Sequence, residues 1–151
     1  MKTEKKLYGL EFYATAEAQA ERAAGRKVEA PSIVHEIMSP IFQGAKQEQF
    51  WVILLDTKHQ VIGLHLATQG LVDRSQIHAR EVFRWAVSEM ASAVILCHNH
   101  PSGDPNPSPQ DLDCTKTLVQ AGKIIGISVL DHVIIGTEPR PFMSFREMAL
   151  L

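Results

Sequence analysis

Hydrophobic positions along this chain recur with two periods, and the switches between them mark its elements. After Pro31-Ser32, residues Ile33, Val34, Ile37, Met38, Ile41 and Phe42 fall on one face at helical spacing. Pro40 lies inside that pattern and predicts a kink or an early end, and Gly44 closes the segment. Residues 49–56, rich in Phe, Trp, Val, Ile and Leu, read as a strand. Thr57-Lys58-His59-Gln60 reads as a turn and residues 61–68 as the hairpin partner, with Gly70 marking another turn. Over residues 77–90 the set Val82, Phe83, Ala86, Val87 and Met90 repeats every three to four positions, which predicts an amphipathic helix. Residues 91–97 (Ala-Ser-Ala-Val-Ile-Leu-Cys) offer no polar face, so they predict a strand buried on both sides and central in its sheet.

Ser108-Pro109-Gln110-Asp111 is a helix start: serine suits the N-cap, proline the first helical position and an acid the first turn. That helix is expected to run to about Gly122 and to bury Leu112, Leu118 and Val119. Residues 124–135, rich in β-branched side chains, contain the expected final strand, and Ser144-Phe145-Arg146-Glu147 predicts a short terminal helix through a capping box. Residues 1–28 are the least regular: a charged start at Lys2 to Lys6, an apolar segment over 7–13 read as extended, then an alanine-rich stretch with helical propensity. Strands alternating with helices imply an α/β domain with a mixed sheet.

Composition narrows the class. The chain has 151 residues, enough for one domain with a substantial core, and its 45% hydrophobic and 21% charged residues are those of a soluble globular protein. No apolar run approaches the ~18 residues of a membrane span, and no apolar segment follows the basic start as a signal would require, so a cytoplasmic location is expected. Two cysteines give no disulfide framework; Cys97 and Cys114 read as small buried hydrophobes. The net charge of −2 gives no global reason for tight non-specific binding to a phosphate backbone.

Candidate chemistry is concentrated just after the central strand. Alternate strand residues point the same way, so His98 and His100 bring two imidazoles side by side. A proline-rich loop follows, and Asp111 in the first helical turn can return to them. Two histidines, a carboxylate and an open fourth position make a catalytic rather than a closed structural zinc site. Each residue alone has an ordinary explanation as a satisfied polar group, a cap or a helix-dipole acid. Jointly these leave two same-face histidines beside a rigid loop unexplained.

The pattern His98-x-His100, seven residues, Ser108, two residues, Asp111 resembles the JAMM motif of MPN-domain metalloproteases and deubiquitinases. The string His98-Asn99-His100-Pro101-Ser102-Gly103-Asp104-Pro105 is similar to the RadC branch, as are His78-Ala79-Arg80-Glu81-Val82-Phe83 and Leu130-Asp131-His132-Val133-Ile134-Ile135-Gly136. The likeness runs from about Ala30 to the end. It implies an MPN (JAMM, cytidine-deaminase-like) three-layer α/β domain over residues 29–151 behind an N-terminal extension, 1–28. Hairpin glycines of the helix-hairpin-helix segment that often precedes this domain are not evident, so the catalytic domain with a short extension is expected.

The resemblance implies Zn2+ held by His98, His100 and Asp111. It places a general base at Glu48, before the upstream strand, with Glu36 and Glu81 as weaker candidates. It makes Ser108 a donor to the oxyanion of the transition state, a role set against helix capping. His35, His59 and His65 read as surface or half-buried, and His78 as capping or packing. His132 is expected to make a core hydrogen bond, with orientation of a metal ligand as the alternative. The implied activity is hydrolysis of an unidentified peptide or isopeptide substrate. The main alternative is a DNA-repair-associated accessory that binds nucleic acid; a nuclease and a pure scaffold rank lower.

Overall fold

The computed structural model describes residues 10–70, 77–137 and 139–151, with side chains from residue 15 onward. Helices α1 (Leu10–Ala23) and α2 (Pro31–Phe42) precede strands β1 (Gln49–Leu55) and β2 (Val61–Gln69). Helix α3 (Ala79–Ser88), strand β3 (Ala93–Asn99), helix α4 (Pro109–Ile125) and strands β4 (Ser128–Ile135) and β5 (Phe142–Ser144) follow. The sheet order is β2-β1-β3-β4-β5. β1 runs antiparallel to β2 and to β3, whereas β3 and β4 are parallel and joined by the α4 crossover, so the sheet is mixed. β3 is central, and all seven of its residues are buried, as its unbroken apolar run predicts.

Side-chain alternation splits the core into two faces. Trp51, Ile53, Leu55, Ile95, Cys97 and Val133 pack against Val34, Ile37, Met38 and Ile41 of α2, with Ala23 of α1 behind them. Phe50, Val52, Leu54, Val94 and Leu96 pack against Val82, Phe83 and Ala86 of α3 and against Cys114 and Leu118 of α4. The result is three layers, helices on both sides of one sheet. Each fully buried large aliphatic side chain contributes roughly 1.5–3 kcal/mol. Both cysteines are buried among apolar side chains, as expected, with Cys97 on the face opposite His98.

Several sequence expectations need correction. α1 starts at Leu10, so part of the segment read as extended is helical; residues 1–9 lie outside the described ones. α2 continues through Pro40 to Phe42, because burial of Ile41 and Phe42 offsets the missing Pro40 N–H. α4 passes the buried Gly122 and stops at Gly126, whose φ of 78° forms the left-handed cap, and Leu112 faces solvent rather than the core. β4 is not the final strand. Ser144 ends β5, and turns rather than a helix follow it: Phe145 is fully buried, and Ala149, at φ 56°, stops helical propagation. His78 occupies the N-cap of α3 but is exposed and makes no side-chain capping bond.

Candidate metal centre

β3 delivers His98, and His100 follows one residue after its end. The chain turns at Pro101-Ser102-Gly103 and returns along the end of β4. His100 N–H donates to Ile135 O at 2.9 Å, and Thr137 N–H donates to Gly103 O at 2.8 Å. Gly103 has φ 92°, and a Cβ on Gly136 would lie 2.3 Å from the Gly103 carbonyl, so this contact needs glycine at both places. α4 then begins with a complete capping box. Asp111 N–H donates to Ser108 Oγ at 3.1 Å, and Ser108 N–H donates to Asp111 Oδ2 at 2.9 Å.

These elements bring His98, His100 and Asp111 together, with one donor atom of each lying within 4.8 Å of the others. His98 Nε2 is 3.0 Å from His100 Nε2 and 3.4 Å from Asp111 Oδ1, and His100 Nε2 is 3.1 Å from Asp111 Oδ2. A tetrahedral ion with bonds of about 2.0–2.1 Å separates its ligands by about 3.3 Å. Burial pushes the Asp111 carboxyl up, but when the rings are protonated the hydrogen bonds from His100 and His98, the charge of His98 and the Ser108 N–H override it and hold the group well below the usual carboxylate range. His100 Nδ1 lies 2.7 Å from Asp104 O, which can only accept, so the neutral ring keeps its proton on Nδ1 and presents the Nε2 lone pair to the centre. The donor set fits a metal ion: it offers imidazole nitrogen and an ionised oxygen at suitable spacing.

Ser108 sits beside the triad through the same capping box. Its Oγ accepts from Asp111 N–H, and a hydroxyl that accepts still has a proton to donate, so capping and oxyanion donation do not exclude each other as the sequence reading supposed.

Glu48 immediately precedes β1 and is half-buried. Phe50 pairs with His98, and Gln49 N–H donates to Asn99 Oδ1 at 2.7 Å, so the segment carrying Glu48 runs alongside the end of β3. Glu48 lies just outside β1, two residues before Phe50, which stacks on His98 at 5.8 Å. Glu36 is exposed and ion-paired with Arg26, and Glu81 lies in the first turn of α3. His35 is half-buried on α2, His59 exposed in the hairpin turn, and His65 paired with Glu89 at 2.6 Å and stacked on Trp85.

Three residues that sequence reasoning missed or undervalued support this centre. Asn99 grips both sides of Glu48: its Oδ1 accepts from Gln49 N–H, and its Nδ2 donates to Gln47 O at 3.2 Å. His132 Nε2 is 2.7 Å from His98 Nδ1, so it bonds a site histidine directly rather than making an ordinary core contact. Thr115 Oγ1 lies 2.6 Å from His132 Nδ1. Only His132 gave a local signal, as one of the polar pair Asp131-His132 inside the otherwise apolar β4.

A family model described as RadC-like JAB domain matches residues 28–150. The chain belongs to this family. This RadC-like domain is 47% identical over 135 residues to the UPF0758 protein STH371 of Symbiobacterium thermophilum, a match spanning 88% of this chain and 57% of that protein. It is 47% identical over 110 residues to a UPF0758 protein of Alkaliphilus oremlandii, spanning 73% of this chain and 47% of that one. A UPF0758 protein of Methanosarcina barkeri, Mbar_A2303, is 45% identical over 111 residues, spanning 74% and 48%. The chain thus spans about half the length of the curated relatives it matches. The five-stranded mixed sheet between helices is the α/β architecture of a JAB/MPN domain. Among the described residues no helix is long and apolar enough to cross a membrane.

Proposed function

We propose that this RadC-like domain is a zinc-dependent hydrolase of amide bonds, peptide or isopeptide. The observation that carries this reading is the convergence of His98 Nε2, His100 Nε2 and the Asp111 carboxylate on one point. Zinc held by three protein ligands lowers the pKa of water toward ~7 and polarises a substrate carbonyl. Glu48 takes the proton of the attacking water and returns it to the leaving amine. The Ser108 hydroxyl donates to the oxyanion that develops on the carbonyl oxygen.

A groove of about 670 Å3 runs from His100 past Pro40, Phe42, Ile135 and Pro141. Among the described residues lining it, none is Lys, Arg, Asp or Glu. A neutral extended peptide suits such walls, whereas a phosphate backbone would meet no cation there. The net charge of −2 likewise favours the peptide reading over the nucleic-acid-binding accessory.

Elemental analysis of protein purified without chelator is expected to find about one zinc per chain, and Asp111→Asn should carry far less. The wild type, but not Asp111→Asn, should then cleave members of a peptide and isopeptide library followed by mass spectrometry. A folded wild type that stays metal-free when zinc is supplied would refute the hydrolase. Salt-sensitive binding of single-stranded DNA, unaltered by Asp111→Asn, would favour the accessory.

A further inference from the structure

Behind His98 a chain of buried polar groups leads away from the site and returns to it. His98 and His132 have no exposed surface, and Thr115 is 1% exposed. Thr115 Oγ1 lies 2.7 Å from the main-chain oxygen of Asp111 and 2.6 Å from His132 Nδ1. His132 Nε2 lies 2.7 Å from His98 Nδ1.

The direction of every bond in this chain follows from its end. A carbonyl oxygen can only accept, so the Thr115 hydroxyl gives its one proton to Asp111 O. The hydroxyl oxygen must therefore accept from His132, which places the His132 proton on Nδ1. A neutral His132 then has a bare Nε2, which accepts from His98 Nδ1–H. His98 is left with its lone pair on Nε2, the nitrogen that faces His100 and Asp111. The opposite polarity would require a carbonyl to donate.

Packing prevents escape by ring rotation. Phe145 stacks on His132 at 4.7 Å and Phe50 meets its edge at 5.4 Å. We propose that His132, backed by Thr115, is a positioning residue that fixes the ligating tautomer of His98 and ties it to the backbone of Asp111. Two donors from different elements, β3 and α4, are thereby held in one register. The consequence for metal rests on the zinc reading above; the assignment of ring protons does not.

The test separates the two. In the metal-free wild type at about pH 8, long-range proton–nitrogen NMR of the histidine rings should show the His132 proton on Nδ1 and a bare Nε2. Zinc affinity, from competition with a chelating dye, should fall about 10–100-fold in Thr115→Val and in His132→Phe, which keep the volume and lose the relay. Thr115→Ser and His132→Gln restore a donor and an acceptor and should bind near the wild-type level. A His132 proton on Nε2, or folded Thr115→Val and His132→Phe variants binding zinc as tightly as wild type, would overturn the proposal. If the variants fail to fold, the wild-type ring spectrum still decides the tautomer. A wild type that takes no zinc removes the hydrolase reading and leaves that spectrum to judge the relay.

Discussion

The Ser108 hydroxyl accepts one hydrogen bond and keeps its proton for another, so two effects can be separated by choice of substitution. Ser108→Ala loses the cap, at a cost of about 1 kcal/mol, whereas glycine at an N-cap costs only a few tenths. Both lose the hydroxyl proposed as the oxyanion donor. On a substrate found by the library screen, kcat is expected to fall about 10²–10³-fold in both variants, while thermal unfolding separates them. A Ser108→Gly protein with wild-type turnover would reduce Ser108 to a cap. Asn99 makes a complementary prediction, because it grips the backbone on both sides of Glu48 and is not itself in the donor triad. Asn99→Ala should keep its zinc and lose turnover, and a parallel loss of zinc would tie the clamp to the ligands instead. The triad was legible because strand parity and cap grammar act over a few residues. Asn99 and His132 were not, because their partners lie 50 and 34 positions away and nothing local encodes such pairing.

Elements were legible where a single period held, and misread where a short-range signal had another use. The run of β3 and the hairpin of β1 and β2 were readable because burial on both faces, or a turn between two apolar runs, leaves little choice. Gly122 looked like a helix end and is instead buried inside α4; Gly126, four residues on, supplies the left-handed cap. Ser144 looked like a cap and does accept from Glu147 N–H at 3.1 Å, but its hydroxyl also donates to Asp131 at 2.6 Å and fixes it to the sheet. The loop between His100 and α4 depends on a contact no periodicity reports, the approach of Gly103 to Gly136. Gly136→Ala would drive a methyl to 2.3 Å from the Gly103 carbonyl, so the loop must lift from β4. The His100 Nδ1 bond to Asp104 O lies in that loop, and its loss should lower zinc affinity by about 10–100-fold along with the melting temperature. Unchanged affinity in a calorimetric titration would mean the loop is not what aims His100.

At the scale of the whole molecule, β4 divides its polar residues between the two sides of the sheet. His132 faces the cluster of His98, His100 and Asp111, while Asp131 points the other way and ties down the C-terminal segment. It accepts from Ser144 Oγ at 2.6 Å, from His132 N–H at 2.7 Å and from Arg146 N–H at 3.0 Å. Burial pushes its carboxyl up; the hydrogen bonds from Ser144, Arg146 and His132 and the charge of Arg146 pull it back only in part, so the net shift is upward. Cys97, on the same face, is also pushed up, by burial and then by this charge. A carboxyl whose folded pKa lies above its unfolded value binds its proton more tightly when folded. Its contribution to stability is therefore full below the unfolded value, near pH 4, and is lost as pH rises through the folded one. Asp131→Asn keeps an oxygen for the two N–H groups and cannot ionise, so it has no such slope. The difference in melting temperature, variant minus wild type, should thus move in favour of the variant between about pH 4 and pH 7, as differential scanning calorimetry can measure. A difference that is flat, or that moves the other way, would mean that the hydrogen bonds of Asp131 outweigh its burial and that its charge stabilises the folded chain.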